Sequence, residues 1–172
     1  MGADELSARL WRERRQLDHL LFVLETQLLH LKAGNWHRLS FTTTELEKVI
    51  ENLRFDSLAR GVEASAMVSE WNEQEQQTLP SLVTIAPSGL WQDLLEEHRR
   101  GMSSLLASID AATAANNSLL LQGPDFVGSV QAGLNETVTN ELAVITLETN
   151  IQRALSAVAS ASLPAVREFL EG

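Results

Sequence analysis

The chain has 172 residues, no cysteine, and 23 acidic against 13 basic side chains, giving a formal charge of −10 and a pI near 4.8. That length suits one bundle domain with a continuous core, and the acidic balance argues against a surface for nucleic acid or anionic membrane, which needs clustered Lys and Arg. Without cysteine there is no disulfide, no thiolate nucleophile and no thiolate-ligated metal.

The opening Met1-Gly-Ala-Asp-Glu-Leu6 is acidic where a signal peptide is basic and then apolar, and no apolar run reaches the length of a membrane span, so a cytoplasmic location is expected. Leu10, Leu17, Leu21, Leu24, Leu28 and Leu31 then recur at spacings of three and four, interrupted only by Arg14, which draws one stripe along a helix. Leu20, Phe22, Val23 and Leu29 widen the stripe to a face that needs more than one neighbour, as in a bundle. Ala33-Gly34-Asn35 tolerates left-handed backbone and ends this helix.

A second helix opens near Trp36, with Leu39, Leu46, Ile50 and Leu53 in heptad spacing and Leu58, Val62 and Met67 following on a displaced stripe. Polar residues from Asn72 onward, bracketed downstream by Pro80 and Pro87, mark a long connection with room for one helical turn. Ser88 is placed to cap a third helix whose apolar face is Leu90, Leu94, Leu95, Met102, Leu105, Leu106, Ile109, Ala112 and Leu119. Gln122-Gly123-Pro124 stops it, Pro opening the next helix. That fourth segment loosens at Gly133-Leu-Asn-Glu136 and runs on to a break at Pro164. The expected fold is all-α, an elongated antiparallel helical bundle or coiled coil, with helices near 4–33, 36–72, 88–122 and 125–162.

Chemistry is scarce. His30 and His37 read as surface histidines separated by a helix end, and Glu96-Glu97 beside His98-Arg99-Arg100 as a solvated face, because neighbouring positions point around a helix. No metal-binding histidine pair, phosphate loop or nucleophile motif occurs, so no catalytic residue, cofactor or metal site is expected.

Leu10-Trp-Arg-Glu-Arg-Arg-Gln-Leu-Asp-His-Leu-Leu-Phe-Val-Leu-Glu-Thr-Gln-Leu-Leu-His-Leu-Lys-Ala-Gly-Asn35, then Leu46-Glu-Lys-Val-Ile-Glu-Asn-Leu-Arg54, then Trp91-Gln-Asp-Leu-Leu-Glu-Glu-His-Arg-Arg100 resemble, in this order, flagellar export chaperones of the FlgN type over about residues 5–134. The resemblance implies a cytoplasmic chaperone, not an enzyme, that grips the amphipathic C-terminal helix of hook–filament junction proteins and delivers them to the type III export gate. The gate-contacting tyrosine of some members has no counterpart, since the chain has no Tyr. The alternative reading is a structural helical-bundle adaptor with no export role.

The tail resembles cargo instead. Gln152, Ala154, Leu155, Ala157 and Ala159, then Pro164 and Glu168-Phe169-Leu170, are similar to the C-terminal helix of the FlgL and FlgK class of junction proteins, over about residues 137–170. The domain reading is therefore a chaperone domain at 1–134 and a cargo-like helix at 135–172. Three readings of that helix stand side by side: a cargo helix joined to its carrier, the chaperone's own last helix, or a tail swapped into a second copy of the chain. Its apolar stripe is expected at Leu142, Ile145, Ile151, Leu155 and Val158, with Phe169 and Leu170 as a terminal anchor.

The expected cargo-binding groove is carried by Leu105, Leu106, Ile109, Ala112, Leu119, Phe126, Val127, Val130 and Leu134. Ala111, Ala112, Ala114 and Ala115 leave a shallow trough there that a second helix can enter. The same residues would equally serve as ordinary bundle core.

Overall fold

A computed structural model describes residues 2–71, 76–133 and 138–172, apart from the side chains of residues 129–141. The described residues are helical and contain no strand. The elements are α1 (Gly2–Lys32), a 3-10 turn (Trp36–Arg38), α2 (Leu39–Trp71), α3 (Leu79–Ile85), α4 (Leu90–Leu120), α5 (Gly123–Gly133), α6 (Val138–Ser160) and α7 (Pro164–Glu171). The single helix expected at 125–162 is thus two, and residues 134–137 between them lie outside the described residues.

The punctuation follows local chemistry. Gly34 has φ +77°, its N–H bonds the Leu31 carbonyl at 3.1 Å, and the Asn35 N–H bonds the His30 carbonyl at 2.8 Å. These two reversed bonds form a Schellman cap on α1. At α4 the residue before the helix is Gly89 rather than Ser88: its φ is +107° and its carbonyl accepts from the Asp93 N–H at 3.1 Å. Thr78 caps α3, its hydroxyl accepting from the Ser81 N–H at 3.4 Å. Pro164 opens α7 after Leu163, which takes the left-handed conformation at φ 49°, ψ 60°.

Two compact units share the chain. The first is Met1–Leu20, Val49–Ser108 and Leu163–Gly172; the second is Leu21–Lys48 and Ile109–Ser162. Each of α1, α2 and α4 gives one segment to each unit. The inward stripe of α1 is Leu6, Leu10, Glu13, Leu17, Leu20, Leu24, Gln27 and Leu31, an unbroken alternation of four and three with two polar members. Phe22 and Leu29, expected to widen this face, are 64% and 68% exposed, because they lie off that alternation.

The polar members of the α1 stripe find polar partners. In the first unit Glu13 meets Ser57 and Arg60 of α2, and Ser7 meets His98 of α4. In the second, Gln27 meets Thr42 of α2 and Asn116 of α4. The α1–α2 pairs close from 47 residues apart at Glu13–Arg60 to 15 at Gln27–Thr42, as in an antiparallel pair. The α1–α4 pairs stay at 91 and 89, as in a parallel pair. Helix α2 therefore returns the chain to the end where α1 began, and α4 starts from that end in the direction of α1.

Polar pairing also corrects two expected stripes. On α2, Asp56, Ser57 and Arg60 take the inward positions, so Leu58 and Val62 are left 74% and 69% exposed. On α4, Leu120 is buried where Leu119 was expected and is only half-covered, and Leu90 is exposed. His98 is fully buried rather than part of a solvated face, while Glu96 pairs along the helix with Arg99 and Arg100 as a surface cluster does. Arg99's hydrogen bond holds the Glu96 carboxyl below its usual range.

Candidate docking surface of the C-terminal helices

Helix α6 lies in the second unit, packed on α5. Its inward stripe is Val144, Ile151, Ala154 and Val158, continued by Ala161 just past the helix end, all under 6% exposed. Ala157 beside it is buried too. The closeness is tight at Gly123, the first residue of α5, where an added Cβ would stand 2.7 Å from Ile151 Cδ1. Only glycine admits Ile151 there without a shift. On the α2 side, Arg153 forks onto Glu47, its Nε and one Nη donating to the two carboxylate oxygens at 2.8 and 2.9 Å, and it also donates to Thr44 Oγ1 at 2.9 Å. The hydrogen bond from Arg153 keeps the Glu47 carboxyl below its ordinary range. Both side chains are well solvated, so this pair sets orientation more than it adds stability.

The expected tail stripe is therefore shifted in phase. Ile151 and Val158 are buried as expected and Leu155 is half-buried, but Leu142 and Ile145 are 65% and 57% exposed. The alanines cause the shift: Ala154 and Ala161 occupy inward positions that a reading based on large side chains passes over. Leu142 instead borders an open cavity of about 620 Å³ with Trp36, Phe126 and Leu147. Within it the Trp36 and Phe126 rings stack at 5.0 Å between centroids.

Helix α7 lies in the first unit, packed on α3. Val166, Phe169 and Leu170 are 2%, 3% and 3% exposed, so the terminal anchor residues are both inside. Arg60 of α2 touches this helix at Phe169 and Ala165. Its guanidinium carbon lies 3.9 Å from the Phe169 ring centroid, and one Nη is 3.5 Å from the Ala165 carbonyl. The same guanidinium forks onto Glu13, Nε to Oε2 at 2.9 Å and Nη2 to Oε1 at 3.1 Å, while Ser57 Oγ donates to Oε1 at 2.8 Å. With side-chain exposures of 6% and 0%, Arg60 and Glu13 form a buried charge pair whose carboxylate is well supplied with donors.

Of the nine expected groove residues, Leu106, Ile109, Ala112 and Val127 are buried, and Leu105, Leu119 and Phe126 are half-buried. Leu105 and Leu106 belong to the first unit and the other described members to the second. The side chains of Val130 and Leu134 lie outside the described residues, as does the expected 134/135 domain junction. Glu13, Arg60, Glu47 and Arg153 were passed over at the sequence level. For Glu13 the signal existed: it stands at an inward step between Leu10 and Leu17, where a charge needs a buried counter-charge.

Among the described residues no group of three His, Asp or Glu side chains is placed to hold a metal, and no helix is long and apolar enough to cross a membrane. No curated protein and no solved structure matches the chain. The FlgN protein family matches residues 1–143, which spans α1 to α5 and the first turns of α6, and leaves the buried stripe from Val144 onward beyond the match. With more than half of its length matched, the chain belongs to the FlgN family, a family of flagellar export chaperones rather than enzymes.

Proposed function

We propose that this chaperone acts in the cytoplasm on the amphipathic C-terminal helix of hook–filament junction proteins, delivering them to the export gate, and that its own helices α6 and α7 occupy in cis the surface such a helix would take. One observation carries the reading: the residues beyond the family match bury an apolar face in each of two helices, Ile151, Ala154 and Val158 of α6, packed on α5, and Val166, Phe169 and Leu170 of α7, packed on α3, and both α5 and α3 lie within the match. Helix-in-groove recognition uses such a stripe at spacings of three and four. Tethering favours the attached helix, because its effective concentration exceeds that of any partner added in solution.

Co-expression tests the reading. A hook–filament junction protein stays soluble with the Val158→Asp chain, in which a buried carboxylate opposes docking of α6, and gains less from the intact chain. Equal failure of both chains to keep it soluble would favour a structural adaptor.

A further inference from the structure

The tail's two helices are held by different chemistry. Helix α6 is seated through small and aliphatic side chains, Ala154, Ala157, Ile151 and Val158. Helix α7 brings one aromatic ring, Phe169, and that ring lies against the one arginine of α2 that is buried. A guanidinium is planar and weakly hydrated, so its face stacks on a ring while its edge donates hydrogen bonds in plane. Arg60 is used both ways: Nε and Nη2 are engaged by Glu13, which leaves the face of the group for Phe169.

Glu13 of α1, itself held by the Ser57 hydroxyl of α2, fixes the guanidinium through contacts that do not involve α7. A fixed, partly desolvated cation presents an aromatic-selective surface, because an aliphatic side chain fills the space without supplying a quadrupole. Helix α7 is also set apart from α6. The left-handed Leu163 and Pro164 separate the two helices, and the boundary between the two compact units falls at the same place.

We infer that Arg60, held by Glu13, is a specificity-determining residue of this seat, selecting a helix that carries an aromatic side chain at the position of Phe169. The inference rests on the reading that α7 occupies the seat of an incoming helix. Arg60 supplies the preference for an aromatic ring, and Val166 and Leu170 supply general apolar burial.

Hydrogen exchange on the full chain tests it through a double-mutant cycle of Arg60→Lys and Phe169→Leu, read at the α7 amides between Arg167 and Gly172, which bond back to Leu163 and Glu168. Phe169→Leu speeds exchange there, and the Arg60–Phe169 coupling amounts to about 2- to 30-fold, the size of a cation–π contact from exposed to desolvated. Arg60→Lys also loosens the pair with Glu13, so the coupling is read rather than the single effect. Phe169→Trp, which keeps a ring, leaves exchange at or below the parent rate. Additive effects of the two substitutions, or Phe169→Leu indistinguishable from the parent, would overturn the clamp while leaving the cis-docking reading intact. Unprotected α7 amides in the parent chain would overturn both.

Discussion

Glu13 and Arg60 meet at 2.9 Å with their side chains 0% and 6% exposed, forming a buried charge pair between two helices whose other inward positions are mostly apolar. Such a pair contributes little net stability relative to well-packed apolar side chains, but breaking it leaves an uncompensated charge. It therefore acts on register and on the seat of α7, through Phe169 on the face of the same guanidinium whose edge Glu13 engages.

Glu13→Ala is expected to destabilise the chain by about 3–5 kcal/mol, the usual cost of stranding one member of a buried pair. Replacing both members, Glu13→Leu with Arg60→Met, is expected to restore most of that loss in urea unfolding while leaving α7 less protected. Full recovery of α7 protection in the double variant would separate the pair from the tail.

Much of this architecture is legible in the sequence, and the limits have a physical pattern. Leu10, Leu17, Leu24 and Leu31 of α1, the cap at Gly34 and the breaks at Gly123-Pro124 and Pro164 are local signals and stand where expected, whereas Leu21 and Leu28 are half-buried and Leu29 is exposed. Leu58 and Val62 were misplaced because Ser57 and Arg60 turn inward only once Glu13 is known to face them, a relationship 44 to 47 residues long. The tail stripe was misphased because Ala154 and Ala161, small enough to approach a neighbour closely, outrank Leu142 and Ile145 in burial. The parallel course of α4 follows from its pairs with α1, not from either helix's own pattern.

His98 gives a pH signature. Burial, and then the Arg14 guanidinium at its Nδ1, push its pKa down to about 4 from 6.5. The folded histidine stays neutral while the unfolded one takes up a proton below pH 6.5, so the unfolded state binds more protons between those values. Stability is therefore full above 6.5 and falls as the pH drops toward 4, by about 3 kcal/mol from this one group. Urea midpoints at pH 7.5, 6 and 5 should fall more steeply for the parent than for His98→Gln. Parallel pH profiles would assign the acid sensitivity to other groups.

In the second unit, Gln27 accepts from Thr42 Oγ1 at 2.8 Å and donates to Asn116 Oδ1 at 3.0 Å, while Asn116 Nδ2 donates to the Leu24 and Ala112 carbonyls at 2.9 and 2.8 Å. Gln27→Leu leaves Asn116 Oδ1 without this donor and is expected to cost about 1–3 kcal/mol. Adding Asn116→Leu and Thr42→Val should recover part of the loss, by removing the stranded groups. A neutral single substitution would mean that water replaces the amide.

Gly34→Ala tests the cap on α1 in isolation. No atom lies within 4 Å of the added Cβ, so only the left-handed backbone at φ +77° opposes the change. The expected loss is about 1 kcal/mol, read as a shift of the urea midpoint with an unchanged slope.

The central claim is that the C-terminal stripe covers the chain's own binding surface, and a calorimetric titration tests it most directly. A peptide with the sequence of a hook–filament junction protein's C-terminal helix is titrated into the intact chain and into the Val158→Asp chain. Opposing the docking of α6 by several kcal/mol should bring the peptide's affinity for the variant at least about 100-fold above that for the intact chain. Equal affinity for the two chains would contradict the claim, since a surface covered in cis cannot bind a competing helix equally well with and without its cover.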